Sequence, residues 1–309
     1  MRDDVQEPVF DFPDGYKVIY EMASVEDYLH IRRVTGMADK DAAAAGTGLS
    51  NTDFAVQITY NDQCVGYCRV ISDGGLWYFM VDGAILPDHQ GVGIGRFMVS
   101  YLVYHFHQTA PPGAYMMAVS WVPDFVEKTG LQKLEPPEFG MYAWRPITGP
   151  GEPAFENPVA PPDNTLGDDY KVLYEMPDAD TYLTLRESVG LGWKDPAFAE
   201  QSLAATEFAV QVKYKGNTIG LMRILSDRGL WYYIVDGMVA EEHQSTGVGM
   251  FILKSIVHHF YDVAAPGAYM LAFTTAVRFG EKGGMLHLPE DEVPFYAWQP
   301  VSKNGGTQP

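Results

Sequence analysis

The sequence predicts a mixed α/β protein built from two like domains, and three observations carry that reading. The chain repeats itself at one constant offset: Tyr16-Lys-Val-Ile-Tyr-Glu-Met22 returns as Tyr170-Lys-Val-Leu-Tyr-Glu-Met176, and Leu76-Trp-Tyr-Phe-Met-Val-Asp-Gly83 returns as Leu230-Trp-Tyr-Tyr-Ile-Val-Asp-Gly237. Pro112-Gly-Ala-Tyr-Met116 and Tyr142-Ala-Trp144 return as Pro266-Gly-Ala-Tyr-Met270 and Tyr296-Ala-Trp298, again 154 residues on (266 − 112 and 296 − 142). A repeat of this length is a whole domain, since solenoid units run about 20–50 residues. Within each copy, stretches of period two alternate with stretches of period 3.6, so strands and helices are interspersed. Finally, each copy holds one glycine-rich turn, Gln90-Gly-Val-Gly-Ile-Gly95 and Gln244-Ser-Thr-Gly-Val-Gly249.

The elements follow in order. Tyr16–Met22 alternates like a first strand. Ser24 is placed to cap a helix over Val25–Thr35, with Asp27 three residues on, and Asp178–Val189 is its counterpart. Phe54–Tyr60 and Gln63–Ser72 form a hairpin about Asn61-Asp62, answered by Lys215-Gly216-Asn217 in the second copy. An aromatic strand, Leu76–Leu86, leads into the glycine turn. Arg96–His107 then places Phe97, Val99, Leu102, Val103 and Phe106 at helical spacing. Ala114–Ser120 reads as a strand, Pro123–Lys128 as a short helix and Gly140–Arg145 as the strand that closes the unit. The expected domains are 16–146 and 170–300, joined by a semi-rigid linker over 147–169 with five prolines in Ile147–Pro162. Ser302–Pro309 reads as a frayed tail.

Composition narrows the function. The 309 residues carry 47% apolar and 20% charged side chains, as in a soluble globular protein. A net charge of −19 argues against general nucleic-acid binding, which draws on Lys and Arg. It mildly favours cationic partners. No apolar run approaches the roughly 18 residues of a membrane span, and the first residues lack signal-peptide features, so a cytoplasmic protein is expected. Cys64 and Cys68 fall on one strand about 13 Å apart and cannot bridge each other. His105-x-His107 and His258-His259 do not share a helix face at those spacings, and no metal site is expected.

The glycine turn carries the chemistry. Backbone N–H groups at a helix start, together with the helix dipole, suit a pyrophosphate. Gly95 is followed by Arg96-Phe97, so a Walker loop fails, and the spacing is wrong for a dinucleotide fold. Gln90-x-x-Gly93-x-Gly95 and Gln244-x-x-Gly247-x-Gly249 both match the pyrophosphate loop of the Gcn5-related N-acetyltransferase superfamily. Val65-Gly66-x-x-Arg69-Val-Ile-Ser-Asp73 upstream and Phe125-x-Glu-Lys-x-Gly130 downstream resemble it too, and the resemblance covers nearly all of both repeats.

The resemblance implies tandem acyl-CoA N-acyltransferase folds forming an intramolecular pseudo-dimer. Each would be a sheet opened into a V between its fourth and fifth strands. Acetyl-CoA or another acyl-CoA would lie there, with its pyrophosphate on Gln90, Gly91, Val92, Gly93, Gly95 and Arg96. Its amides would pair along Val81–Leu86, including Ile85 and Leu86. Gln244, Gly247 and Gly249 are the second copy's equivalents. A small amine would attack the thioester directly, without metal or covalent nucleophile.

The chain departs from the family at one point. The tyrosine that commonly protonates the leaving thiolate is Val126 in one copy and Gly280 in the other. Asp82, Asp236 and Tyr78 are then the candidate catalytic groups, with Tyr232, His89, His243, Ser120 and Thr274 as further protonatable neighbours. Strand aspartates, however, are often structural acceptors. Arg69 is expected to bind the acceptor or to pair with Asp73, as Arg223 would with Asp227. Trp121 and Trp193 break the repeat where acceptor pockets are implied. Glu241-Glu242 beside the second loop, and Met250 in place of Arg96, disfavour an anion there. Two alternatives stand beside N-acyl transfer: a non-catalytic acyl-CoA-binding protein, and a CoA-independent biosynthetic enzyme on the same scaffold.

Overall fold

The computed structural model describes residues 5–149, 151–163 and 165–300; the tail assigned to Ser302–Pro309 lies outside them. The first copy runs β1 (Tyr16–Ile19), α1 (Val25–Val34), α2 (Ala42–Ser50), β2 (Phe54–Tyr60), β3 (Gln63–Ser72), β4 (Trp77–Ile85), α3 (Ile94–Thr109), β5 (Tyr115–Ser120), α4 (Pro123–Val126), β6 (Gln132–Lys133) and β7 (Phe139–Trp144). The second repeats the order: β8 (Tyr170–Leu173), α5 (Ala179–Ser188), α6 (Pro196–Ala204), β9 (Phe208–Tyr214), β10 (Asn217–Ser226), β11 (Trp231–Val239), α7 (Val248–Val263), β12 (Tyr269–Thr274), α8 (Val277–Lys282), β13 (Leu286–His287) and β14 (Val293–Trp298).

Local chemistry sets the boundaries. Ser24 accepts from the Asp27 N–H at the start of α1, and Asp178 does the same from Thr181 for α5. β1 is shorter than its alternation suggested, ending at Ile19. α2 is an element the periodicity did not reveal. Its run of Ala and Gly has little amphipathic contrast, and Asp41 capping Ala44 supplies the start.

The sheets hold the main correction. Their strand orders are β1-β2-β3-β4-β5-β14-β6 and β13-β7-β12-β11-β10-β9-β8. The closing strands are therefore exchanged. β14 pairs with β5, Val293 opposite Ser120 through Trp298 opposite Tyr115, while β7 pairs with β12, Phe139 opposite Thr274 through Trp144 opposite Tyr269. Gly140–Arg145 closes the other copy's sheet, not its own.

Each sheet packs one face on its long helix, α3 on Val56, Ile58, Tyr78 and Met80, and α7 on Val210, Val212 and Tyr232. The opposite faces meet at a seam where Phe79 stacks on Tyr233 with ring centroids 3.5 Å apart. The segments before each first strand do matching work: Phe10 and Phe12 close the first core, while Phe155 and Leu166 from the linker close the second. Cys64 and Cys68 are both free, with their thiols pushed up by burial to about 11 and about 12.

Candidate functional site

β4 and β5 run parallel and pair only from Trp77–Tyr115 to Met80–Ala118. β4 continues to Ile85 and β5 to Ser120, so past that ladder the strands separate around the exposed Gly83. β11 and β12 part in the same way after Tyr233–Leu271. At the foot of each opening stands the glycine turn. Gly93 takes φ +99° as the cap of α3, a conformation that side-chain-bearing residues rarely adopt. No side chain caps the helix, and its first backbone bond is Phe97 N–H to Gly93. The N–H groups of Ile94, Gly95 and Arg96 therefore lie ahead of the helical ladder, free for an anion. Gly91, Val92, Gly93 and Arg96 are all exposed. Gln90 instead donates back to the Ile85 carbonyl at 2.9 Å, pinning the turn to the end of β4, as Gln244 does to Val239 at 3.1 Å.

The turns are built alike but differ electrostatically. Gly247 has φ +97°, and Phe251 N–H bonds Gly247. Arg96, however, has no cationic counterpart at Met250, and Glu241 and Glu242 are exposed beside the second turn. Beside the first turn the exposed Asp88 is matched by Arg96, whereas beside the second two glutamates stand with no such cation.

Asp82 and Asp236 lie beside the openings but are fully committed. Asp82 Oδ1 accepts from Tyr28 at 3.1 Å and Arg32 at 2.9 Å; Oδ2 accepts from Arg69 at 2.9 Å and from Trp231 of the second copy at 3.0 Å. Burial alone would raise its carboxyl, but Arg69 and Arg32 outweigh that and hold it below the usual range. Asp236 is held at about 2 against the same burial, by Arg223 and Arg186, and Trp77 of the first copy donates to it. Such carboxylates suit fixed anions, and a proton-accepting role would require breaking this set. Both sit at φ +57°, where β4 and β11 kink.

Arg69 and Arg223 are also corrected. Each pairs with the aspartate of the opposite copy: Arg69 with Asp227 at 2.5 Å and Arg223 with Asp73 at 2.6 Å. All four side chains are buried, so Arg69 is not presented to an acceptor. Lys40 and Lys194 lock the seam from either side. Lys40 Nζ lies over the rings of both Trp231 and Tyr269 and donates to Gly267, and Lys194 lies over those of Trp77 and Tyr115 and donates to Gly113. No feature of the sequence read alone marked these lysines.

Tyr78 and Tyr232 belong to the helix-side cores, edge-on to Phe106 and Phe260. Their phenols are pushed up by burial, Tyr232 to about 12, and neither lines the opening. His89 and His243 are held by Tyr16 and Tyr170. Ser120 and Thr274 accept from the Val122 and Ala276 N–H groups just beyond them. Trp193 packs on Gly113 at the seam. Trp121 stands at the end of β5, 53% exposed.

Val126 and Gly280 stand where the tyrosine of the family pattern is expected. Val126 is buried in the first core. A Cβ at Gly280 would meet Met141 Sδ at 2.2 Å, and Met141 belongs to the exchanged β7. The exchanged strand fills the space a side chain there would need.

This architecture recurs in solved structures. A Gcn5-related N-acetyltransferase from Sphaerobacter thermophilus aligns with 94% of this chain and 98% of its own, with TM-score 0.56 and 16% identity. A tandem protein of this class from the clavulanic acid biosynthesis pathway aligns with 93% of this chain and 100% of its own, with TM-score 0.52 and 13% identity. The chain carries the Gcn5-related N-acetyltransferase fold twice, in tandem. A further acetyltransferase-fold structure, from Pyrococcus horikoshii, aligns with 96% of this chain and 93% of its own at TM-score 0.52 and 13% identity. In sequence, 86 residues are 31% identical to an uncharacterised N-acetyltransferase of Pyropia yezoensis. That match takes in 28% of this chain and about half (49%) of the relative. No family model matches the chain. No helix among the described residues is long and apolar enough to cross a membrane.

Proposed function

We propose that this tandem acetyltransferase-fold protein is an acyl-CoA-dependent N-acyltransferase, with acetyl-CoA as donor and a small amine as acceptor. The observation that carries the reading is the first turn: three N–H groups ahead of the α3 ladder, an exposed Arg96 and no capping side chain, at the foot of the opening between β4 and β5. Acyl-CoA supplies the activated acyl group. Gly91, Val92, Gly93, Gly95 and Arg96 would hold its pyrophosphate, with Gln90 fixing the turn. Ile85 and Leu86 would border its pantetheine arm. The protein's part is to align donor and acceptor, which requires neither metal nor covalent nucleophile.

The second turn, through Gln244, Gly247 and Gly249, serves mainly as scaffold in this reading. Its acidic neighbours and the closed space at Gly280 favour that assignment. Titration calorimetry with acetyl-CoA tests both parts. Binding should be lost in Gly93→Asp, which adds a carboxylate at a left-handed backbone position, and retained in Gly247→Asp. Failure of the intact protein to bind acetyl-CoA would overturn the function, and loss only in Gly247→Asp would overturn the assignment of the turns.

A further inference from the structure

We propose that the acceptor end of the first opening is completed by the second copy, and that Glu292 is the carboxylate presented there to the acceptor's ammonium group. The inference rests on the N-acyltransferase reading and goes beyond it by naming a residue and the charge state it recognises.

The strand exchange provides the geometry. Because Val293 pairs with Ser120, the turn before β14 emerges beside the end of β5, after β5 has left β4. The Leu134 N–H, bonded to the Pro294 carbonyl at 2.9 Å, ties that turn to the first copy from the other side. Alternation sets the facing of β14. Phe295 and Ala297 enter the helix-side core with Val293 packed against it, and Tyr296 faces the seam. Glu292 stands one residue ahead of β14, and its charge acts on Tyr269, on the seam side of the sheets.

Among the described residues, no hydrogen bond or ion pair engages the Glu292 carboxylate, although the residue is partly buried. Burial and the neighbouring Asp291 raise its carboxyl, and its charge is felt by Tyr269 across the seam. An unpaired, partly desolvated carboxylate gains most from an incoming cation. Its counterpart Glu138 acts in the same way on Tyr115, but it is exposed. The asymmetry of the carboxylates thus falls on the same side as that of the turns. Asp82, with both oxygens occupied, does not compete for the role.

The test needs no knowledge of the acceptor. In a Cys64→Ser background, Glu292→Cys and Glu138→Cys are separately incubated with acetyl-CoA, and acetylated peptides are followed by mass spectrometry. The thiol attacks the thioester carbonyl. A new S–C bond forms at the introduced cysteine, the C–S bond to CoA breaks, and the departing thiolate takes the proton the cysteine gives up. A thiol held at the acceptor end should be acetylated roughly a hundredfold faster than the one at position 138, and Gly93→Asp should abolish the difference. Equal rates in protein that binds acetyl-CoA by calorimetry would overturn this proposal and leave the function standing. Absence of acetyl-CoA binding in the parent would overturn the function itself, and this proposal with it.

Discussion

Beyond Asp82, which its Nε holds, Arg69 could pair with Asp73 of its own copy or Asp227 of the other, and the structure chooses Asp227. Replacing it by Met keeps the length of the side chain and removes the charge. Asp227 would keep its three backbone donors, from Gly229, Leu230 and Trp231, but lose its cation. Asp82 would keep Arg32, and the Gly48 carbonyl would lose the donor at 2.8 Å. Removing one partner of a buried ion pair costs about 3–5 kcal/mol. For domains of this size that lowers Tm by roughly 6–20 °C.

The double-mutant cycle is the sharper assay. Arg69→Met with Asp227→Asn should couple by about 1–3 kcal/mol, because the second change removes the charge the first has stranded. Arg69→Met with Asp73→Asn should be additive within about 0.5 kcal/mol. Urea unfolding of the four proteins in each cycle measures both. Coupling to Asp73 and not to Asp227 would refute the interleaved network and return each arginine to its own copy.

Three further outcomes are expected. Asp236 is held at about 2 and Asp82 below its ordinary range, so their ionised forms stabilise the fold above the unfolded-state value near pH 4. That stability should be lost as pH falls from about 4 toward 2, about 2–3 kcal/mol from Asp236 alone, seen as falling urea midpoints; flat midpoints across that window would contradict it. Gly280→Tyr should destabilise by at least about 1–3 kcal/mol through overpacking against Met141. Pairing it with Met141→Ala should cost less than the sum, by thermal melts, and strict additivity would tell against the close contact. A protease site placed after Gly151 should leave two fragments that co-elute on size-exclusion chromatography after cleavage, because β7 and β14 remain exchanged; separation without denaturant would rule the exchange out.

Much of this was legible in the sequence, and what was not shares one cause. The repeat, the hairpins, the glycine turns and the long helices are written in local spacing, and the structure has them. Partner choice is not local. Tyr142-Ala-Trp144 and Tyr296-Ala-Trp298 have the same alternation and would fit either sheet, so nothing in the pattern distinguishes a strand kept from a strand exchanged. Arg69 and Arg223 meet identical aspartates in both copies for the same reason. Asp82 and Asp236 looked like candidate bases because strand periodicity does not show the kink at φ +57° that turns them onto the arginines. Lys40 and Lys194 sit in loops with no periodicity, and only the assembled seam gives them their aromatic partners.

The exchanged strands also bear on how the chain leaves the ribosome. A multidomain protein ordinarily folds its first domain while the next is being made. Here the edge of β5 waits for Val293–Trp298, nearly at the end of the described residues. At translation rates of about 5–20 residues per second, the 154 residues between Tyr142 and Tyr296 (296 − 142) take roughly 8–31 s to follow. Through that interval β5 lacks its final partner β14, and β7 lacks its final partner β12. The nascent first half is thus exposed to strand capture by a neighbouring copy in the same polysome, and the acidic surface of the chain would hold such neighbours apart.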